Sequence, residues 1–182
     1  RPVAAIEAFE KHAHLALLGD PGSGKSTFVR HLQAWQAAAM LGEVAMPPPG
    51  CSGEMLPVQI MLRDLVPHLS GLEVDTLSDE KRNRVLAGAL RNLITENLSF
   101  DGLERYAEDV HSVLAEGNCF LVLDGLDEVP QDLRPVVRLA VGTIISLYKP
   151  GRMVVTCRVR SYIGNAVLPA FQAYMLAPFN ED

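Results

Sequence analysis

Short stretches of consecutive apolar residues recur along this chain: Leu15-Ala16-Leu17-Leu18, Pro57–Leu62 (PVQIML), Cys119–Leu123 (CFLVL) and Met153–Cys157 (MVVTC). Runs of this length that do not alternate with polar residues are the pattern of strands buried on both faces. Helix-length segments lie between them. Lys25 to about Leu41 is rich in Ala, Gln and Leu and holds no breaker. Val85, Leu86, Ala89, Leu90 and Leu93 fall at helical spacing, with Ser78-Asp79-Glu80 at the favourable end of the dipole. Leu103, Tyr106, Val110 and Leu114 form a second stripe, ended by Gly117. Leu133 to Leu147 reads as a helix with Pro135 in its first turn, stopped by Pro150-Gly151. A short amphipathic helix carrying Ile6 and Phe9 precedes a strand at His14–Leu18, and Ala173–Leu176 is the expected last strand. The proline-rich segment Met46 to Gly53 is an exposed loop. Strands alternating with helices predict one three-layer α/β/α domain built on a parallel sheet.

The chain of 182 residues is long enough for one domain with a real core. Its 48% hydrophobic and 21% charged residues are ordinary for a soluble globular protein, and no apolar run is long enough to span a bilayer. A net charge of −6 argues against a general nucleic-acid or anionic-membrane surface. Cys51, Cys119 and Cys157 are widely spaced and lack metal-ligand spacing, so they read as buried or incidental thiols of a reducing, cytoplasmic compartment. Residue 1 is Arg, with neither an initiator Met nor a signal-peptide pattern, and the chain reads as a piece of something larger.

Directly after the first apolar run comes Gly19-Asp20-Pro21-Gly22-Ser23-Gly24-Lys25-Ser26-Thr27. Three glycines in six positions cost backbone entropy and add no packing, so something else must reward them. The spacing Gly19-x-x-x-x-Gly24-Lys25-Ser26 is the P-loop pattern, with a strand before it and a helix after. Glycines let backbone N–H groups converge on a diphosphate, and the helix N-terminus points at the same anion. Lys25 can reach the terminal phosphates, Ser26 offers a neutral oxygen to Mg²⁺, and Thr27 is placed to touch the α-phosphate. The run Phe120-Leu121-Val122-Leu123-Asp124 delivers a carboxylate at a strand end, where it can hold a water on Mg²⁺. Gly125-Leu126-Asp127-Glu128 follows, and such crowded carboxylates favour a bound cation. Arg158 leaves the strand MVVTC at the same edge of the sheet. It could sense a γ-phosphate, or merely cap the sheet or pair with Asp127 or Glu128. Arg160 reads as structural.

Together these blocks resemble the NACHT family of STAND-type P-loop NTPases. GDPGSGKST looks like its Walker A motif, and LVLDGLDEVP resembles its extended Walker B, with a small residue after the first Asp and an acidic pair two positions on. VVTCRVRSY is similar to the sensor-1 strand, LPVQIMLRDL to the strand after the first crossover, and Leu176–Asp182 to the junction into a helical subdomain. The resemblance spans nearly the whole chain and implies that residues 1–182 form a nucleotide-binding core with strand order 5-1-4-3-2. A helical lid, a winged helix, and effector and sensor domains would belong to the parent protein. In that order Cys119 begins one strand and Cys157 ends its neighbour, roughly 13–17 Å away at about 3.3 Å per residue, too far for a disulfide.

The resemblance further implies ATP/ADP and Mg²⁺ as ligands, and self-association of the parent protein when ATP replaces ADP. That role is a signalling switch, as in bacterial immunity. Adenine over guanine rests on resemblance, since no Asn-Lys-x-Asp segment is present. Gly125 stands where many P-loop ATPases carry a glutamate, so any hydrolysis must fall to Glu128 or Asp127 and should be slow. Two other readings remain: a module that binds nucleotide without turnover, and a small-molecule kinase. The kinase reading lacks an arginine-rich lid and a substrate pocket.

Overall fold

The computed structural model of this chain describes residues 4–176. The expected junction at Leu176–Asp182 lies outside the described residues beyond Leu176. Among the described residues the chain runs α1 (Ala5–Lys11), β1 (His14–Leu18), α2 (Lys25–Met40), β2 (Leu56–Met61), α3 (Leu62–Leu69) and α4 (Asp79–Phe100). It continues with α5 (Ala107–Ala115), β3 (Cys119–Asp124), α6 (Arg134–Tyr148), β4 (Arg152–Cys157) and β5 (Gln172–Met175). All strand pairs are parallel, in the order β2-β3-β4-β1-β5, as the resemblance implied.

The apolar runs are continuous because each strand feeds two cores. Side chains alternate across a sheet, and successive residues of β1, β3 and β4 divide accordingly. Leu15, Leu17, Phe120, Val122 and Val154 join Ala8 and Phe9 of α1 and Val29 and Leu32 of α2 on one face. Ala16, Leu121, Leu123, Met153 and Val155 pack on the other face against residues of α3, α4, α5 and α6. The central strand β3 is buried throughout, whereas β5 at one edge is largely exposed. Three layers follow directly from that division.

Two elements depart from expectation. Leu62 does not end a strand but starts α3, which sequence patterning did not reveal because Pro67 sits inside it. An interior proline costs a helix roughly 3 kcal/mol. Leu62, Leu65 and Leu69 are almost fully buried, and burial of such side chains at about 1.5–3 kcal/mol each offsets that cost. In the second departure, the stripe Leu103–Leu114 changes phase. Glu104–Tyr106 is a 3-10 turn, leaving Leu103 41% and Tyr106 42% exposed, while Ala107, His111 and Leu114 form the buried face of α5. A 3-10 turn advances three residues per turn, so its stripe does not continue into an α-helix. All three cysteines are free, with Cys119 and Cys157 at opposite ends of adjacent strands.

Candidate functional site

Because the sheet is parallel, β1, β3 and β4 all end at one edge, and the three candidate motifs leave from there. The loop after β1 is held to β4 at once, by Gly19 N–H donating to the Cys157 carbonyl at 3.2 Å. Gly19 has no room for a side chain, since a Cβ would run into the Ser23 side chain. Ser23 N–H closes a turn onto the Asp20 carbonyl at 3.1 Å, and Gly22 and Gly24 have φ of 79° and 84°. Only glycine adopts that region cheaply. Gly24 then serves as the N-cap of α2 without a side-chain hydrogen bond, so no side chain covers the helix's first N–H groups. A cavity of about 210 Å³ is lined there by Gly22, Ser23, Gly24, Lys25, Ser26 and Thr27. Lys25 Nζ donates to the Gly19 carbonyl at 2.7 Å, the Asp20 carbonyl at 3.0 Å and Ser23 Oγ at 3.4 Å. The ammonium thus braces the loop from within. Ser26 is half-buried in the first turn of α2, and Thr27 and Pro21 are exposed.

Asp124 ends β3 and is 5% exposed. Thr156 of β4 donates a short hydrogen bond to its Oδ1, and Gln59 Nε2 donates to its Oδ2 at 3.4 Å. The same Thr156 Oγ1 accepts Gly125 N–H at 2.9 Å. Thr156 therefore pins the end of β3 to β4, the strand to which the glycine-rich loop after β1 is also held. Neither Thr156 nor Gln59 was a candidate from sequence. A lone Thr in an apolar strand carries no local signal, and its partner lies 32 residues away.

The two further carboxylates have different partners. Asp127, with its side chain 10% exposed, accepts Arg158 N–H on Oδ1 at 3.1 Å and meets Arg158 Nε with Oδ2 at 2.8 Å. Glu128 accepts Arg63 Nη1 on Oε2 at 3.0 Å across an exposed pair, and Arg63 Nε also lies 3.5 Å from Asp64. Gly125, at φ 81°, lets the Glu128 side chain fold over it, because a Cβ there would lie 3.1 Å from Glu128 Cδ. Of the alternatives open for Arg158, pairing with Asp127 is what the structure contains. Arg63 is a further residue that sequence patterning did not single out.

Cys157 sits among these groups but is chemically quiet. Burial pushes its thiol up to about 12, and the Asp127 carboxylate adds to the rise. A second cavity, of about 330 Å³, lies beside the loop and is lined by Asp20, Pro21, Arg158 and Arg160. Arg160 thus stands at the site rather than away from it. Among the described residues no cluster of three or more His, Cys, Asp or Glu side chains is arranged to hold a metal by itself, and no helix is long and apolar enough to cross a membrane. In comparisons with family models, curated proteins and solved structures, nothing matched this chain.

Proposed function

We propose that this chain binds an adenine nucleotide with Mg²⁺ on Gly19–Thr27. We further infer that it acts as the nucleotide-dependent oligomerisation switch of a NACHT-like signalling protein, hydrolysing ATP slowly. One observation carries the binding reading. Two left-handed glycines shape a concave loop at the uncapped N-terminus of a 16-residue helix, with Lys25 drawn into it. An isolated loop of that shape has three costly features and no packing reward, whereas a diphosphate would accept hydrogen bonds from it. Mg²⁺ keeps several waters and typically takes one or two protein carboxylates together with substrate phosphates. Asp124 and Ser26 suit that role, because Asp124 Oδ2 has only one weak donor at 3.4 Å. The ion would neutralise charge on the phosphates. The switch role and the choice of adenine come from the family resemblance.

Lys25 exchanges its carbonyl partners for phosphate oxygens, and the α2 N–H groups orient the same anion. Glu128 is the better placed of the two candidate bases, since Asp127 already uses both oxygens on Arg158. Its Oε2 is held by Arg63, which leaves Oε1 to orient water. It follows a turn and is exposed, so preorganisation is poor and turnover is expected well below the roughly 1–100 s⁻¹ of kinases. The commitment of Asp127 also favours the second reading, binding without turnover.

Denaturing the purified protein and chromatographing the released nucleotide tests occupancy, with ADP the expected species. Calorimetry on Lys25→Ala should show ADP binding lost, because no second lysine lies in the loop. Unchanged affinity would refute the proposal. Phosphate release that Glu128→Gln abolishes supports hydrolysis; none from either protein leaves a pure binding module.

A further inference from the structure

β2 is apolar apart from a single amide, Gln59. The parallel register sets Gln59 beside Val122 and Met61 beside Asp124. Alternation puts these side chains on one face of the sheet, the face on which Val122 packs with Val29 and Leu32 of α2. The amide is half-buried there, and its polar groups are poorly matched. Its Nε2 lies 3.4 Å from Asp124 Oδ2 and 3.6 Å from Met61 Sδ, both long contacts. Its Oε1 accepts no hydrogen bond among the described residues. Desolvating an amide costs free energy that two such contacts offset only weakly. The other Asp124 oxygen is committed. Oδ1 accepts from Thr156, whose own oxygen takes Gly125 N–H, so the hydroxyl hydrogen is directed at the carboxylate. Thr156 thus fixes which oxygen stays open, and it is Oδ2, the one beside Gln59.

We propose that Gln59 is a positioning residue for a divalent cation at Asp124, its amide turning over to receive a water bound to that cation. The inference rests on the reading of Gly19–Thr27 and Asp124 as a Mg²⁺-nucleotide site. Mg²⁺ keeps several of its waters, and such waters turn their hydrogens outward. Groups around the ion must therefore accept. Asp124 Oδ2 does so as it stands. Gln59 presents its donor end, which suits the bare carboxylate and opposes a hydrated cation. Rotation about the last side-chain bond, a broad two-fold torsion, exchanges Nε2 for Oε1. Only the two long contacts are given up. A glutamine serves both states, where a leucine would serve neither and a glutamate only the cation-bound one.

Calorimetry tests this by measuring ADP affinity in Mg²⁺ and in EDTA for wild type, Gln59→Leu, Gln59→Glu, Asp124→Asn and Lys25→Ala. Thermal midpoints are taken in both solutions. The ratio of the two affinities reports the cation, and chelation of Mg²⁺ by free ADP is common to every protein. Gln59→Leu should cut that ratio about fivefold, the effect of one lost hydrogen bond, while ADP affinity in EDTA stays unchanged. Gln59→Glu should raise the ratio. It should also lower the thermal midpoint in EDTA, where two carboxylates face each other, and regain it with Mg²⁺ and ADP. A ratio in Gln59→Leu equal to wild type overturns the proposal even if Gln59→Glu raises it, because added charge alone then explains the gain. Equal loss of affinity with and without Mg²⁺ in Gln59→Leu overturns it too. ADP binding that survives Lys25→Ala, or a ratio untouched by Asp124→Asn, overturns the underlying site. Losses in both of those variants, with Gln59→Leu silent, overturn the role of Gln59 alone.

Discussion

Gly125 meets two demands at one position. Its φ of 81° lies in the left-handed region, and the space a Cβ would fill is taken by the Glu128 side chain. From sequence it looks like a lost glutamate; in the fold it is the gap through which Glu128 reaches back toward the end of β3. Gly125→Ala should therefore destabilise the protein by about 1–3 kcal/mol, the range for a non-glycine residue held in a strained conformation. Gly22 has a similar φ of 79° but open space around it, so Gly22→Ala should cost only the backbone part, about 1–2 kcal/mol. Urea unfolding of both variants checks this, and an equal or smaller loss for Gly125→Ala would show that Glu128 simply moves aside. Gly125, Asp124 and the loop glycines were legible because each belongs to a local pattern. Thr156, Gln59, Arg63 and the place of Arg160 beside the loop were not, because each depends on residues remote in sequence.

At the scale of elements, the sheet edge opposite the site is fastened by Arg152, the first residue of β4. Its Nη1 donates to the Phe9 and His12 carbonyls at 2.7 Å each, and Nη2 to the Glu10 carbonyl at 3.0 Å. Nε donates to the Gly50 carbonyl at 2.6 Å. One guanidinium thus satisfies the C-terminal carbonyls of α1, stacks over Phe9 at 5.4 Å, and ties down the proline-rich loop. Gly50, at φ 83°, has to be glycine because a Cβ would enter that guanidinium. α2 holds the other side of the same loop, with Trp35 Nε1 donating to the Met46 carbonyl and Gln36 Nε2 to those of Ser52 and Met55. Arg152→Ala should cost about 2–3 kcal/mol, since hydrogen bonds to charged groups contribute more than neutral ones. Arg152→Lys should not restore it, because an ammonium has three donors on one atom, whereas the guanidinium reaches four carbonyls from three nitrogens. Thermal unfolding of both variants decides. A lysine variant as stable as wild type would show that charge alone matters there.

For the whole molecule, stability should fall on mild acidification. His111 is 4% exposed between α4 and α5, with Nε2 3.0 Å from Thr95 Oγ1. Burial, then the nearby Arg91, hold its pKa below the ordinary 6.5, with Glu108 opposing. Burial likewise lowers His14, against a hydrogen bond with the Ala170 backbone. Both are favoured neutral in the fold, so the unfolded chain binds more protons just below the ordinary histidine value. Their stabilising contribution is complete above about pH 6.5 and is lost as pH falls through the lowered folded values. Urea midpoints measured at about pH 8 and about pH 5 should differ in that direction, and His111→Gln should reduce the difference. A midpoint independent of pH over that range would contradict it. Sequence alone determined the alternation of strands and helices, the parallel sheet with two covered faces, the glycine-rich loop leading into a helix, and Asp124 at a strand end. Each depends on spacing within a few residues, which period and turn chemistry impose locally. The strand order came from family resemblance, and the fold agrees with it. Only the tertiary structure decided which carboxylate meets which arginine, Asp127 with Arg158 and Glu128 with Arg63. Those partners lie 31 and 65 residues apart. They become neighbours because β4 inserts between β1 and β3 while α3 starts at the end of β2, and no local pattern encodes a contact made by packing.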